Sequence, residues 1–210
     1  MTLIDGKSIS AKVKEEIKSV ASNLAAKGVE PALAVILVGE DAASKTYVAS
    51  KEKACAACGI RSVAHRLSSD VSEAALLELI ENLNEDESID GILVQLPLPK
   101  HIDELEVINA ISAEKDVDGF HTTNIGKMMI GDETGFLPCT PFGVIQMFEE
   151  YGIELLGKDA VIVGRSNIVG KPLALLLIQS GATVQVCNSK TKNLSEKLQK
   201  ADIVVAAVGV

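Results

Sequence analysis

DAVIVGRSNIVGKPLALLLIQSGATVQVCNS, the stretch from Asp159 to Ser189, decides the fold. It opens on the apolar run Ala160 to Val163 and turns through Gly164 to Gly170. It continues as the helix-compatible Pro172 to Ile178 and ends in a second extended run that stops at Cys187. Strand, glycine-containing turn, helix and strand within about thirty residues make a βαβ unit. The turn lies where a dinucleotide fingerprint would lie, yet Ser166 takes the second glycine position and the last glycine comes one residue late. By motif alone, a plain tight turn is the commoner reading. Context favours a phosphate site: Gly164 permits the turn, the helix start offers oriented N–H groups, and Arg165 adds a cation.

The end of the second strand bears on the cofactor. An NAD site places Asp or Glu there, roughly 20 residues past the turn, to bind the ribose 2′-OH. Here the residues are Val186, Cys187, Asn188, Ser189 and Lys190, with no acid among them. Ser189, Lys190 and Arg165 could donate to a 2′-phosphate, or Ser189 and Lys190 could be ordinary loop residues. The balance favours NADP.

Working outward, Ile9, Val13, Ile17, Val20 and Leu24 recur at helical spacing and Gly28 stops that helix. ALAVILVG, from Ala32 to Gly39, reads as a buried parallel strand and its turn. Asp41 or Ser44 then caps a helix running to Gly59. IRSVAHRL reads as a second strand, SEAALLELIENLNED as an amphipathic helix, and GILVQLPLP as a third strand with a proline-punctuated end. The predicted class is α/β: an N-terminal α/β substrate domain with a parallel sheet, followed by a Rossmann-like dinucleotide-binding domain. The boundary is expected at the start of PFGVIQMFEEYG, giving domains 1–140 and 141–210. Glu114 to Pro141 shows no clear periodicity and reads as a functional or connecting stretch. ADIVVAAVGV is one more strand. A nucleotide domain that stops on a strand lacks the turn and helix that normally follow, so a truncated chain is expected.

Composition limits the partners. The 210 residues are 47% hydrophobic and 23% charged, the balance of a globular chain. A net charge of -9 argues against nucleic acid or an anionic membrane surface. No apolar run approaches the ~18 residues of a membrane span, and no signal-peptide core opens the chain, so a cytoplasmic protein is expected. Cys55, Cys58, Cys139 and Cys187 are too few for a disulfide framework. The Cys55/Cys58 pair lies in a helix-favouring segment and reads as structural. His65, His101 and His121 are scattered without metal-ligand spacing, so no metal is implied.

In the first domain Tyr47 and Lys51 are four residues apart and share a helix face, which Cys55 and Cys58 continue. A lysine at the rim of such a face can become a proton-transfer group, although a surface Tyr/Lys pair is the commoner case. Gln95 ends a strand where α/β sheets bind ligands, or merely steadies a turn. Asp116 and Asp118, beside Gly119, are acids of the kind that usually make turns.

Taken together, VGEDAASKTYVASKEKACAACGI, DGILVQLPLP, EKDVDGFH, PCTPFGVI and VIVGRSNIVGKPLA resemble the bifunctional methylenetetrahydrofolate dehydrogenase/cyclohydrolase (FolD-type) family, in order and spacing. NLSEKLQKADIVVAAVG resembles that family's third nucleotide-domain strand with its approach, so the resemblance covers the whole chain. It implies NADP-linked oxidation of 5,10-methylenetetrahydrofolate to the 5,10-methenyl cation, and hydrolysis of that cation to 10-formyltetrahydrofolate in the same cleft. By this resemblance Lys51 is the catalytic lysine, Tyr47 the ring-stacking tyrosine, Gln95 the partner of the lysine and Asp118 the acid that holds the pterin. Gly164, Arg165, Ser166, Ile168, Val169 and Gly170 match the phosphate loop, Ser189 stays at the adenosine phosphate, and Thr140 and Pro141 match the segment near the nicotinamide. Asn188 stands where many members have a histidine. The resemblance also implies a homodimer formed through the nucleotide domain. Members continue past the equivalent of Gly209 with a strand, a PVPGGVGPMT loop and a returning helix. A monofunctional dehydrogenase, or a folate-binding module inactive through loss of that segment, are the competing readings.

Overall fold

A computed structural model describes residues 2–208. In chain order the elements are α1 (Gly6–Ala25), β1 (Ala32–Val38), α2 (Ala42–Cys58), β2 (Arg61–Leu67), α3 (Glu73–Glu85), β3 (Gly91–Val94) and α4 (Glu104–Ala110). There follow α5 (Thr122–Ile130), α6 (Cys139–Glu150), β4 (Asp159–Val163), α7 (Gly170–Gln179), β5 (Thr183–Cys187), α8 (Leu194–Lys200) and β6 (Ile203–Ala206). They form two units, Asp5–Val117 and the residues from Asp118 onward, the latter joined by the N-terminal residues up to Ile4.

The first unit carries a parallel sheet in the order β2-β1-β3, with Val35 registered to Ala64 on one side and Leu93 on the other. β1 is apolar throughout because both its faces are covered, as a central parallel strand requires. Ala34, Ile36 and Ile92 pack with Leu76 and Ile80 of α3 and Val107 of α4. On the opposite face Val35, Leu37 and Leu93 meet Val48 of α2. Each fully buried side chain of this size contributes roughly 1.5–3 kcal/mol of transfer free energy. Asp41 caps α2, its carboxylate accepting from the Ser44 N–H at 2.7 Å.

The second unit repeats the arrangement as β5-β4-β6, again parallel, with Val161 registered to Gln185 and Val204. Ala160 and Ile162 pack with Leu173 and Leu177 of α7, Ile145 of α6 and Met128 of α5. In both sheets the first strand lies in the middle and the chain crosses first to one side, then to the other.

Several expectations change. The stretch 114–141 is not irregular throughout, since α5 lies inside it, begun by His121 and closed at Gly131. Gly126 at its centre and the flanking glycines hide its period. β3 ends at Val94, ahead of the expected proline-punctuated turn, where Pro97 and Pro99 lack the N–H a ladder needs. The two units part between Val117 and Asp118, earlier than Pro141, because α5 contributes Met128 to the second core. The last expected strand runs from Ile203 to Ala206, and Gly209 and Val210 lie outside the described residues.

Candidate active site

In the first unit the chemistry gathers at the C-terminal edge of the sheet. α2 turns Ser44, Val48, Cys55 and Cys58 inward. Tyr47 lies on its open side, 63% exposed, and Lys51 one turn further is half-buried. Burial, reinforced by the neighbouring Cys58, pushes the Cys55 thiol up, so this pair is a packed part of the helix and not a ready thiolate. Gln95 directly follows β3, and its N–H donates to the Ile36 carbonyl at 2.9 Å, extending the ladder by one bond. Its side chain is fixed at both ends. Gln95 Nε2 donates to the Leu96 carbonyl at 2.8 Å, which leaves Oε1 to accept from Lys51 Nζ at 3.0 Å. The lysine is thus held by a neutral acceptor.

Beyond α4 the chain returns to this sheet. Ile92 donates to the Lys115 carbonyl at 2.7 Å, and Asp116 forms a parallel bridge with Ile92. Lys115 Nζ donates to the carbonyls of Leu83 and Asp86 at 3.0 and 2.8 Å, anchoring the segment to the C-terminal end of α3. Sequence reading gave no sign of this lysine, whose partners lie some thirty residues away. Asp118 is half-buried and is the first residue of the second unit.

Within the second unit Gly119 has φ +72° and lies so close to the Leu137–Pro138 peptide that a Cβ would approach the Leu137 carbonyl carbon to 2.5 Å. Only glycine fits there. The contact brings the Asp118–Gly119 corner to the start of α6, whose first turn holds the exposed Thr140 and the buried Pro141. Cys139, at the first position of that helix, is exposed, whereas the other three cysteines are buried, and none of the four is in a disulfide.

The turn after β4 is tighter still. Gly164 has φ +128°, and a Cβ on it would come within 2.2 Å of the Ala207 carbonyl oxygen. Ser166 Oγ accepts from the Val169 and Gly170 N–H groups at 3.2 and 3.3 Å just ahead of α7, whose N-cap Val169 brings no side-chain bond, and the hydroxyl still has a proton to donate. Arg165, Ser166 and Ile168 are exposed, and Val169 is half-buried. Gly164 donates to the Cys187 carbonyl at 2.9 Å, so the end of β5, with the exposed Ser189 and Lys190, lies against this turn. A backbone kept bare by glycine, a helix start without a carboxylate and a neighbouring cation suit a dinucleotide pyrophosphate. Among the described residues no three His, Cys, Asp or Glu side chains gather to hold a metal ion. No helix among them is long and apolar enough to cross a membrane.

A parallel sheet whose first turn suits a dinucleotide, joined to a second parallel sheet with a lysine–glutamine pair at its edge, defines a dinucleotide-linked α/β enzyme. The family models narrow this: residues 4–118 match the catalytic domain of tetrahydrofolate dehydrogenase/cyclohydrolase, and residues 138–210 match its NAD(P)-binding domain. The chain belongs to the tetrahydrofolate dehydrogenase/cyclohydrolase family. It is 61% identical over 209 residues to the bifunctional protein FolD of Campylobacter hominis, covering 100% of this chain and 73% of that protein. The crystal structure of the bifunctional FolD of Campylobacter jejuni superposes with TM-score 0.98 at 54% identity, covering 100% of this chain and 74% of the other. The Trypanosoma brucei methylenetetrahydrofolate dehydrogenase-cyclohydrolase, solved with NADP cofactor and inhibitor, gives TM-score 0.96 at 36% identity, over 100% of this chain and 72% of that one.

Proposed function

We propose that this enzyme oxidises 5,10-methylenetetrahydrofolate with NADP and hydrolyses the resulting 5,10-methenyl cation to 10-formyltetrahydrofolate. The observation that carries the reading is the Lys51 Nζ to Gln95 Oε1 hydrogen bond of 3.0 Å at the sheet edge, in a chain of this family. Lys51 exchanges the proton as water adds to the methenyl carbon, a task open to an amine and closed to a guanidinium. Gln95 aims the amine through Oε1 because its own Nε2 is committed to Leu96. The exposed ring of Tyr47 is a flat surface for the pterin. Asp118 accepts from the N–H donors of the pterin amidine edge.

What NADP supplies when bound is a hydride acceptor. Gly164, Arg165, Ser166, Ile168, Val169 and Gly170 hold its pyrophosphate side, Ser189 its 2′-phosphate, and Thr140 and Pro141 flank the nicotinamide. The unit Asp5–Val117 then serves mainly folate chemistry and the unit from Asp118 the dinucleotide. The enzyme works in the cytoplasm as a homodimer through the nucleotide unit. Hydride transfer and methenyl hydrolysis, assayed separately on the purified protein, test the reading: both turnovers are expected, and hydride transfer without hydrolysis would remove the role given to Lys51.

A further inference from the structure

Four residues after β5 form a closed turn, of which the proposed chemistry above uses only Ser189. Asn188 Oδ1 accepts from the Lys190 N–H at 2.9 Å. The Asn188 N–H donates to Thr191 Oγ1 at 2.8 Å, and the Thr191 N–H returns to the Asn188 carbonyl at 2.9 Å. One end of the turn is pinned by the buried Cys187, whose carbonyl accepts from Gly164. The tip therefore presents Ser189 and Lys190 next to the turn that carries Arg165. From Thr183 to Ser195 the chain contains no carboxylate.

We propose that Asn188 is the positioning residue that sets the preference for a 2′-phosphorylated dinucleotide. This inference rests on the NADP reading of the same site. Asx turns are made equally well by aspartate and asparagine, since either side chain offers the acceptor oxygen. Only the amide does so without negative charge beside the 2′-phosphate. Closing the turn in advance removes the ordering cost that a loose Ser-Lys segment would incur on binding. A dinucleotide lacking the 2′-phosphate gains nothing from that ordering, so the effect is confined to NADP.

Titration of the protein with NADP and with NAD, followed by nicotinamide-site fluorescence or calorimetry, tests this. Asn188→Ala is expected to weaken NADP about tenfold while changing NAD less than about twofold. Asn188→Ser, which keeps a short acceptor, recovers most of the loss. Asn188→Asp keeps the turn and still loses NADP affinity by at least as much. Thr191→Val, which removes the other side-chain bond of the turn, shifts the ratio in the same direction as Asn188→Ala. Equal losses for both cofactors, no loss for either, or no recovery in Asn188→Ser overturns the inference. A parent protein that binds NAD as tightly as NADP overturns the NADP reading itself, and is distinguished by needing no variant.

Discussion

The turn after β1 and the turn after β4 hold the same position in two copies of one topology, and their chemistry is opposite. After β1 the residues are Gly39, Glu40 and Asp41, and the helix start is closed by the Asp41 carboxylate. After β4 they are Gly164, Arg165 and Ser166, and the helix start at Val169 has no side-chain cap, with only the Ser166 hydroxyl bonding the N–H groups at its entry. A helix N-terminus attracts anions in either case. In the first unit a side chain already meets that demand, so the sheet edge is left to Tyr47, Lys51 and Gln95. In the second the demand remains open to a ligand. Topology fixes where a site can be, and the capping residue decides whether backbone or side chains make it.

The sharpest way to break this division is Lys51→Gln. Hydrolysis of the methenyl cation should fall by roughly a hundredfold or more, a loss of ~3 kcal/mol in transition-state stabilisation, while NADP affinity is unchanged. Cyclohydrolase assay and NADP titration on the same sample read both halves, and near-normal hydrolysis would end the assignment.

The complementary test is on the backbone. Gly164→Ala drives a Cβ against the Ala207 carbonyl and should cost roughly 2 kcal/mol along with most NADP binding. Gly39→Ala, at the equivalent turn, meets only Ser69, its Cβ at 3.4 Å and its Cα at 3.7 Å, and should cost about 1 kcal/mol, for its left-handed φ alone, with NADP binding intact. Urea unfolding with cofactor titration compares the two, and equal costs would mean that β6 does not press on the nucleotide turn.

The smallest effect concerns acid. The Ser44 backbone N–H, with its hydroxyl, holds the Asp41 carboxyl below the ordinary aspartate range. A carboxylate lowered on folding stabilises the folded state fully above its unfolded value of about 3.9, and that contribution fades as pH falls through the lower folded value. Asn at position 41 still caps but does not titrate there. Asp41→Asn should therefore flatten the acid side of the stability curve slightly, whereas Ser166→Ala should leave its shape unchanged; melting temperatures between pH 3 and 6 (roughly the range that brackets an aspartate) measure it.

Much of this comparison was legible in the sequence because it rests on local signals. β1, β4 and α7 are marked by apolar runs, and α2 by Asp41 and Gly59 at its ends. The helical spacing of Tyr47 and Lys51 follows from α2. The features that escaped depend on partners remote in sequence or on chemistry without a period. Lys115 finds its carbonyls at the end of α3, α5 is interrupted by Gly126, and its Met128 joins a core whose other buried members lie beyond residue 140. The turn at Asn188 is local, but nothing in CNSKT distinguishes an asparagine that bonds Lys190 from one that faces solvent.

The unequal exposure of the four cysteines has a practical side. A thiol-directed reagent meets Cys139 in the open, while Cys55, Cys58 and Cys187 are shielded by packing. Among the described residues there is therefore one exposed thiol to serve as an attachment point, at the first turn of α6, next to Thr140. A fluorophore or spin label can be coupled there without engineering a cysteine or removing one, and a bulky adduct at that position becomes a graded steric probe of whatever approaches the start of that helix.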